Sequence, residues 1–484
     1  MEPSSVTERH RADEREEATR ALDGIVEAES VGGVLRDAVR GVLSGRNGAS
    51  GSLEVVSVAV PTERVHPLHW LRAQEPAARA YWRGRDDPGS AVACLGVADA
   101  FTGGAGPRLE RFRHESRSLL ASMPDGVGYF GGSAFGSGPL NGEWQGFPQA
   151  WFMLPRFELR TSSLDSTLIC NLVLPRDRRQ LQPILGEIER LRMPALETKH
   201  ALPDLVTRID APERPQWIDL VTRTLALMQG PKLDKVVLAR KSSFEFSDPV
   251  DPYLLLERLE AATPGCFHFL LGLPESGTFL GASPERLFRR VGRRLDSEAV
   301  AGTRPRGENV LDDRRLRDEL LLSEKERREH RYVERCIREN LEPLCGELKV
   351  DAQASEMALA RGRHLYSRIQ GVLQPGVTDF DLLDSLHPTP AVGGYPTAPA
   401  LDVLREFEPF ERGWYAGPIG WMRRDASEFA VGIRAGLVRG AALSLYSGAG
   451  IVPGSEPESE WNEIEHKIGD FTNVLGLDLQ RSKY

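Results

Sequence analysis

Short runs of apolar, β-branched and aromatic residues alternate with turns rich in glycine, proline and polar residues between positions 53 and 174. Such runs, bounded by turn signals, are typical of β-strands. We predict five strands here, and their sequences are LEVVSVAVP, AVACLGVADAF, VGYFGGSAF, AWFMLPRFELR and STLICNLVL. This part of the chain is therefore expected to form an antiparallel-rich sheet.

The rest of the chain mixes helical and strand patterns. Apolar residues at helical spacing predict helices over 204–229, 252–262, 321–340 and 457–475. The run from Val236 to Ala239 is apolar on both faces, as in a strand of a covered sheet. The predicted strands are KLDKVVLARKSSFEF, CFHFLLGLP, GTFLGASPERLFRR, WYAGPIGWM, EFAVGIRAGLV and AALSLYSGAGIVPGS.

Length and composition indicate one large unit with an N-terminal extension. The chain has 484 residues, of which 40% are hydrophobic and 27% charged, as in an ordinary soluble globular enzyme. Residues 1–51 begin with a charged segment, contain an amphipathic helix at 31–43 and end in the turn-rich SGRNGASGS. We expect them to be a partly flexible, dispensable extension, with 44–52 as a linker.

Charge and cysteine usage exclude several classes of partner. The formal net charge is -9 and no basic tract is present, so we expect no nucleic-acid partner. The chain lacks an N-terminal apolar segment and any run of 18 apolar residues, so we expect no membrane partner and a cytoplasmic location. The cysteines are odd in number and lack CxxC spacing, which predicts reduced structural thiols: Cys94, Cys170, Cys266, Cys336 and Cys345.

Two pairs of glutamates recur at helical spacing. Glu326 and Glu329 lie three residues apart, as do Glu460 and Glu463, so each pair shares one helix face. Solvated salt bridges are one explanation in such Arg-rich segments. The other is that both pairs face one pocket and hold a hard divalent cation, and ligands that are all oxygen favour Mg²⁺.

Two further ionisable residues stand at the ends of buried strands. Lys235 precedes an apolar strand, where it is either a snorkelling lysine or a functional amine. Glu285 follows a proline in GASPERLF, where it is either a turn residue or a partly buried carboxyl. The small residues Ala301 and Gly302 would allow a ligand to approach the backbone closely.

Six motifs, in this order, resemble those of the chorismate-utilising enzymes: GASPERLF, SEAVAGTRPRG, SEKERREHRYV, HPTPAVGG, SGAGIVPGS and EWNEIEHK. That family includes isochorismate, salicylate, anthranilate and aminodeoxychorismate synthases. The resemblance covers residues 53–477 and is strongest after residue 231. It implies an α/β (α+β) fold, a large two-sheet sandwich wrapped by helices with the site between the sheets. The chorismate-utilising catalytic domain would be 52–484, with 52–200 as its N-terminal part and 201–484 as the part that bears the motifs.

Single positions favour the isochorismate synthases within this family. Lys235 matches the lysine that activates water in isochorismate and salicylate synthases, and aminating relatives lack it. Ala301 stands where aminodeoxychorismate synthases have a nucleophilic lysine, and HPTPAVGG resembles the isochorismate synthase loop. TRPRG is also common among aminating enzymes and does not discriminate. The resemblance thus implies addition of water at C2 of chorismate and loss of the C4 hydroxyl, feeding menaquinone or siderophore biosynthesis.

The resemblance also implies roles for individual residues. Lys235 would be the general base and Glu285 the general acid, and burial shifts the pKa of a lysine down and that of a glutamate up, as these roles require. Mg²⁺ would be held by Glu329 and Glu463, with Glu326 and Glu460 acting through water, and would bind the C1 carboxylate. Expected substrate contacts are Arg434, Lys467, Tyr415, Thr303, His387, Ala301, Gly302 and the backbone of Gly448, Ala449 and Gly450.

Three alternatives remain at this point. A salicylate synthase would go on to eliminate pyruvate, and Lys235 does not exclude it. An anthranilate-synthase-like subunit would use ammonia with a glutaminase partner, and Lys235 argues against it. A non-catalytic chorismate-binding protein would not need the intact set of acid, base and four carboxylates. We expect chorismate as the small-molecule substrate, no obligatory glutaminase subunit, and a monomer.

Overall fold

The computed structural model describes residues 19–21, 26–27, 30–45, 54–103, 120–194, 201–360 and 362–476. Most of the predicted N-terminal extension and nearly all of the predicted linker lie outside the described residues. Short runs of β-branched and aromatic residues form the strands, as β-propensity favours. In chain order the strands are β1 (Thr19–Ala21), β2 (Glu54–Thr62), β3 (Arg79–Arg83), β4 (Ala91–Gly103), β5 (Gly128–Ser133), β6 (Ala150–Thr161), β7 (Ser166–Leu174), β8 (Leu205–Ala211), β9 (Lys235–Phe246), β10 (Phe267–Leu273), β11 (Gly277–Ser283), β12 (Arg286–Val291), β13 (Arg294–Pro305), β14 (Cys345–Val350), β15 (Ser355–Ala358), β16 (Gly362–Leu373), β17 (Gly394–Tyr395), β18 (Pro418–Arg423), β19 (Ala426–Val431), β20 (Ala435–Arg439) and β21 (Ala442–Ile451).

Most of the helices bury an apolar face against the strands or against other helices. In chain order they are α1 (Val31–Ser44), α2 (Pro67–Ala73), α3 (Leu181–Arg190), α4 (Arg214–Leu227), α5 (Pro252–Ala262), α6 (Val310–Leu322), α7 (Glu324–Leu341), α8 (Asp379–Leu386), α9 (Thr397–Phe407) and α10 (Pro457–Val474). Among the described residues, no helix combines the length and the apolar character needed to span a bilayer.

Two antiparallel sheets diverge from the shared pair β4 and β6. The edge of β6 that does not face β4 pairs with two strands. Its first half pairs with β5, through Met153 and Phe130, and its second half pairs with β7, through Phe157 and Cys170. One sheet therefore runs β2-β7-β6-β4-β3-β10-β11-β20-β21-β9-β8. The other runs β4-β6-β5-β18-β19-β12-β13-β16, with β14 and β15 both paired to β16. The fold is thus the two-sheet α/β sandwich that the resemblance implied.

The side chains of each strand point alternately to the two faces of the sheet, and they form one apolar layer on each face. Phe279 of β11 packs between the sheets with Trp144, at a ring-centroid distance of 5.5 Å. Its neighbour Leu280 faces the opposite layer, on the side of the sheet where α5 packs against β11. Successive side chains of a strand point to opposite faces, so one buried run serves both layers.

Two predicted helices differ from the structure. The helix predicted over 204–229 begins only at Arg214, because Leu205–Ala211 is the edge strand β8 paired with β9. Glu213 caps this helix by accepting from the backbone of Gln216, which fixes the later start. The helix predicted over 321–340 is broken at Ser323, whose hydroxyl accepts from the Glu326 backbone and starts α7.

The helix within the predicted extension is part of the packed structure. Val31, Leu35, Val39 and Leu43 are all buried, on the face of α1 that packs against β2 and α3. A truncation at residue 51 would remove this apolar face. The boundary at 51 and 52 stays a prediction, but the burial of α1 argues against treating all of 1–51 as dispensable.

Leu35→Ala should lower the free energy of unfolding by about 2 to 5 kcal/mol, because it removes a fully buried side chain and leaves a cavity. Asp37→Ala, on the exposed face of the same helix, should change it by less than about 0.5 kcal/mol. Urea unfolding followed by circular dichroism measures both. Equal effects of the two substitutions would mean that α1 does not contribute to the core.

Candidate active site

A polar cavity lies where the inner faces of β9, β13 and β21 meet the N-terminal turns of α7 and α10. Its empty space is about 690 Å³, including the open mouth. The wall contains most residues predicted from the sequence: Lys235, Glu285, Ala301, Gly302, Thr303, Glu329, Tyr415, Arg434, Gly448, Gly450, Glu463 and Lys467. It also contains residues that the sequence analysis did not name: Val237, Pro284, Val300, His364, Ala391, Val392, Ile433 and Ser447.

Lys235 begins β9 and is completely buried. Its Nζ lies 2.9 Å from Oε1 of Glu329 on α7, as an ion pair rather than a well-directed hydrogen bond. Gly450 on β21 makes room for this pair, because a Cβ there would collide with the Glu329 carboxylate and approach Cε of Lys235 to 3.2 Å. The lysine is therefore a buried amine in a fixed position, not a snorkelling strand-end residue.

The two glutamate pairs lie in the first two turns of α7 and α10. The positive end of a helix macrodipole stabilises carboxylates there. In this structure each carboxylate also has a cationic partner. The nitrogen-to-oxygen distances are 2.8 Å for Arg304 and Glu326, 2.9 Å for Lys235 and Glu329, 2.7 Å for Lys325 and Glu460, and 2.7 Å for Lys467 and Glu463.

Crowding of like charges shows in the pKa values of these glutamates. Burial, and then the charge of Glu329, raises the pKa of Glu326. Burial, and then the charge of Glu463, raises the pKa of Glu460. For Glu463 burial alone would raise the pKa, but the ammonium of Lys467 outweighs it and the pKa is lowered. In each pair, burial and the charge of one glutamate therefore raise the pKa of the other.

Glu285 lies in the break between β11 and β12 and is almost completely buried. Burial, and then the nearby charge of Glu298, raises its pKa to about 8, although Lys235 acts in the opposite direction. Arg85 donates two hydrogen bonds of 2.8 Å to Glu298, which fixes this carboxylate next to Glu285. At neutral pH Glu285 therefore carries a proton that it can donate.

Two cations and an aromatic ring complete the wall. Lys467 donates to the carbonyl of Gly448 at 2.8 Å, so its ammonium is held at the cavity. Arg434 adopts a left-handed backbone conformation with φ of 49°, which costs a non-glycine residue about 1 to 3 kcal/mol. Tyr415 is stacked on Tyr446 with ring centroids 5.3 Å apart. The two cations suit a small ligand that carries carboxylates.

Four predicted residues do not form the wall. Glu326 and Glu460 are not among the lining residues, whereas Glu329 and Glu463 are. His387 lies against Phe135 instead, with its Nε2 3.2 Å from the Phe135 carbonyl, so its position does not support a substrate contact. The side chain of Ala449 faces the outer apolar layer, because β21 alternates and the neighbouring Gly448 and Gly450 face the cavity.

His364 is the polar wall residue that the sequence analysis missed. Its Nδ1 lies 3.0 Å from the carbonyl of Gly302, which can only accept, so this nitrogen carries the proton. Its Nε2 is buried and makes no hydrogen bond within the described part of the chain. Burial lowers its pKa to about 3, which keeps the ring neutral. The register of β13 and β16, which pairs Thr303 with His364, brings it to the cavity, and no local motif marks it.

Fold and cavity together define a class of protein: an α/β fold with a cavity between two antiparallel sheets, lined by a buried lysine, a buried glutamate and two further cations. A family model described as "Chorismate binding enzyme" matches residues 44–476. The chain therefore belongs to the chorismate binding enzyme family.

Curated relatives and solved structures are similar over most of the chain. Isochorismate synthase 2, chloroplastic, of Arabidopsis thaliana is 33% identical over 459 residues, covering 87% of this chain and 80% of the relative. Isochorismate synthase MenF of Escherichia coli is 30% identical and covers 89% of this chain and 95% of the relative. The solved structure of Escherichia coli MenF, a menaquinone-specific isochorismate synthase, has a TM-score of 0.78 at 28% identity and covers 92% and 99% of the two chains. Anthranilate synthase component I of Streptococcus pneumoniae shares the fold, with a TM-score of 0.67 at 19% identity.

Glu285→Gln should make the protein more stable at alkaline pH. Between pH 4.5 and about 8 the folded wild type holds a proton on Glu285 that the unfolded chain has lost. Its stability therefore falls as pH rises through this window. The variant lacks this loss. From pH 4.5 to about 8, its free energy of unfolding should therefore rise by about 3 to 5 kcal/mol relative to that of the wild type. Urea unfolding across this pH range measures it, with the exposed Glu245→Gln as control. Parallel curves for wild type and Glu285→Gln would contradict the pKa assigned to Glu285.

Proposed function

We propose that this chain is an isochorismate synthase, which converts chorismate to isochorismate and so feeds menaquinone or siderophore synthesis. The observation that carries the proposal is the presence of a buried lysine and a buried glutamate with a raised pKa in one cavity wall. The reaction adds water at C2, expels the C4 hydroxyl and shifts the ring double bonds. Water is a poor nucleophile and hydroxide a poor leaving group, so the reaction needs a base and an acid.

Lys235 and Glu285 supply these two groups in our proposal. Before the reaction Lys235 gives the proton of its ion pair with Glu329 to solvent. As the neutral amine it then takes a proton from the attacking water as the C2–O bond forms. Glu285 gives its proton to the departing C4 oxygen, which leaves as water. One water enters and one leaves, so the net reaction is an isomerisation. The raised pKa of Glu285 supports its role, because an acid must hold its proton at the working pH.

Arg434 and Lys467 bind the carboxylates of the substrate in the same proposal. They line the cavity beside the glutamates, and guanidinium and ammonium groups form strong charge-assisted hydrogen bonds to carboxylates. The neutral His364 offers Nε2 as an acceptor, which suits a hydroxyl or a water better than a carboxylate. We assign it to positioning one of these groups.

The four glutamates fit a resident Mg²⁺. Their donors are all carboxylate oxygens, which Mg²⁺ prefers, and Glu329 and Glu463 both lie in the wall of the cavity. Glu329 and Glu463 would hold the ion, with Glu326 and Glu460 behind them. When bound, Mg²⁺ would supply a Lewis acid for the substrate carboxylate and stabilise the charge that develops during the reaction.

The proposal extends to the organisation of the chain. Residues 52–484 would form the catalytic domain, with 52–200 as its N-terminal part, 201–484 as the motif-bearing part, and α1 packed on its outer layer. The enzyme would act as a cytoplasmic monomer. It would need no glutaminase subunit, because a lysine that activates water removes the need for ammonia.

A chromatographic product assay tests the function directly. Purified protein with chorismate and Mg²⁺, without any ammonia source, should accumulate isochorismate beside residual chorismate and release no pyruvate. An EDTA control should abolish turnover. Salicylate with pyruvate would establish a salicylate synthase instead. Product that forms only when ammonium is supplied would overturn the proposed role of Lys235.

Lys235→Ala should lower kcat about 10²- to 10⁴-fold, which is the usual contribution of a general base. The fold should persist by circular dichroism, and chorismate should still bind by calorimetry. Lys232→Ala removes an exposed lysine three residues earlier and should leave kcat within a factor of about two. Turnover of Lys235→Ala close to that of the wild type would remove this residue as the base.

Glu329→Gln should raise the Mg²⁺ concentration for half-maximal activity at least about tenfold, because it removes a direct ligand. Glu339→Gln makes the same change of charge on the exposed side of α7 and should leave the Mg²⁺ titration unchanged. Initial rates against Mg²⁺ concentration measure both variants. Identical titrations for Glu329→Gln and wild type would refute the metal assignment.

A further inference from the structure

Two histidines and a glutamate meet on the outer layer, away from the cavity already described. His66 is the residue that precedes α2, and His69 follows one turn later. Their ring centroids are 4.2 Å apart. Glu257 reaches them from α5, with its Oε1 3.0 Å from Nε2 of His69. One potential ligand atom from each residue lies within 4.8 Å of the other two.

We propose that His66, His69 and Glu257 form a site for a divalent transition metal ion, with Zn²⁺ as the representative ion. Two imidazole nitrogens and one carboxylate oxygen are a donor set that suits Zn²⁺, Ni²⁺ and Cu²⁺. At metal–ligand distances of about 2.0 to 2.1 Å, tetrahedral ligand atoms lie about 3.3 Å apart. The three residues therefore reach this geometry by small side-chain rotations, and water completes the coordination.

The surrounding packing holds the two helices at this separation. The apolar face of α2, which includes Leu68, Trp70 and Leu71, is completely buried in the outer layer. Arg72 of α2 forms an ion pair of 2.6 Å with Asp251, which caps α5. The ligands are therefore brought together by contacts that do not involve them. A site held in this way loses little conformational freedom on binding metal.

The donor chemistry separates this site from the carboxylate pairs of α7 and α10. Those pairs offer only oxygen, which favours Mg²⁺, whereas imidazole nitrogen favours the later transition metals. None of the three residues lines the cavity. The metal would instead tie α2 to α5, and α5 packs against α10, the helix that carries Glu460 and Glu463. We therefore expect it to stabilise the fold and to take no part in the chemistry.

Competition with a chromogenic chelator tests the proposal on the full chain. The protein is stripped with EDTA, dialysed, and titrated with ZnCl₂ in excess Mg²⁺, which occupies the oxygen sites. The wild type should bind one Zn²⁺ per chain at this site and show a higher Tm with the ion. His66→Ala, His69→Ala and Glu257→Gln should each weaken binding at least about tenfold and lose the Tm increase. His466→Ala removes an exposed histidine of α10 and should not change the affinity.

Three results would overturn the proposal. One is the absence of saturable Zn²⁺ binding by the wild type. Another is wild-type affinity in His66→Ala, which would leave His69 and Glu257 as a simple ion pair. The third is loss of Zn²⁺ binding in Glu329→Gln with retention in all three ligand variants, which would place the ion at the carboxylate pairs. Because the readouts are metal affinity and Tm, they do not depend on the proposed reaction.

Discussion

The burial of four carboxylates around one cavity is the constraint on which the rest of the site depends. An unpaired buried charge costs several kcal/mol, so each carboxylate needs a cation close to it. The four cations come from different elements: Arg304 from β13, Lys235 from β9, Lys325 from α7 and Lys467 from α10. The ion pairs therefore join both carboxylate helices to each other and α7 to the inner strands. The charges that serve the proposed chemistry also hold its scaffold in place.

Two interruptions in the sheet place the remaining charged groups. Glu285 lies in the break between β11 and β12, and Arg434 in the break between β19 and β20. The backbone joins the breaks to neighbouring strands, because Val431 donates to the Glu285 carbonyl at 3.1 Å and Ala282 donates to the Arg434 carbonyl at 3.0 Å. In a continuous strand, the alternation of side chains between the two faces of the sheet would alone decide where each side chain points. The breaks allow both side chains to turn into the cavity while the backbone remains hydrogen-bonded.

How much the sequence could predict depends on how local each signal is. The glutamate pairs were found because helical spacing of three residues puts both members on one face, and α7 and α10 have this geometry. His364 was missed because only the long-range register of β13 and β16 carries it to the cavity. Ala449 was assigned to the wall with its glycine neighbours, although strand alternation turns its side chain to the outer layer. The sequence EFAVGIRAGLV predicts one continuous strand, whereas the structure interrupts it at Arg434. This break could not be predicted, because it depends on hydrogen bonds to distant strands.

Burial alone does not decide what a carboxyl group does in this cavity. The Glu285 side chain is almost completely buried and that of Glu463 is 26% exposed; the pKa of Glu285 is raised to about 8, whereas that of Glu463 is lowered. The two pKa values differ because the fold places a different charged neighbour next to each carboxyl group. Glu298, which is hydrogen-bonded to Arg85, lies near Glu285, whereas Lys467 lies one turn after Glu463 on the same helix. The first arrangement keeps a proton on the carboxyl and suits an acid; the second keeps the negative charge and suits a metal ligand. The different roles proposed for the two glutamates thus follow from their charged partners as well as from their burial.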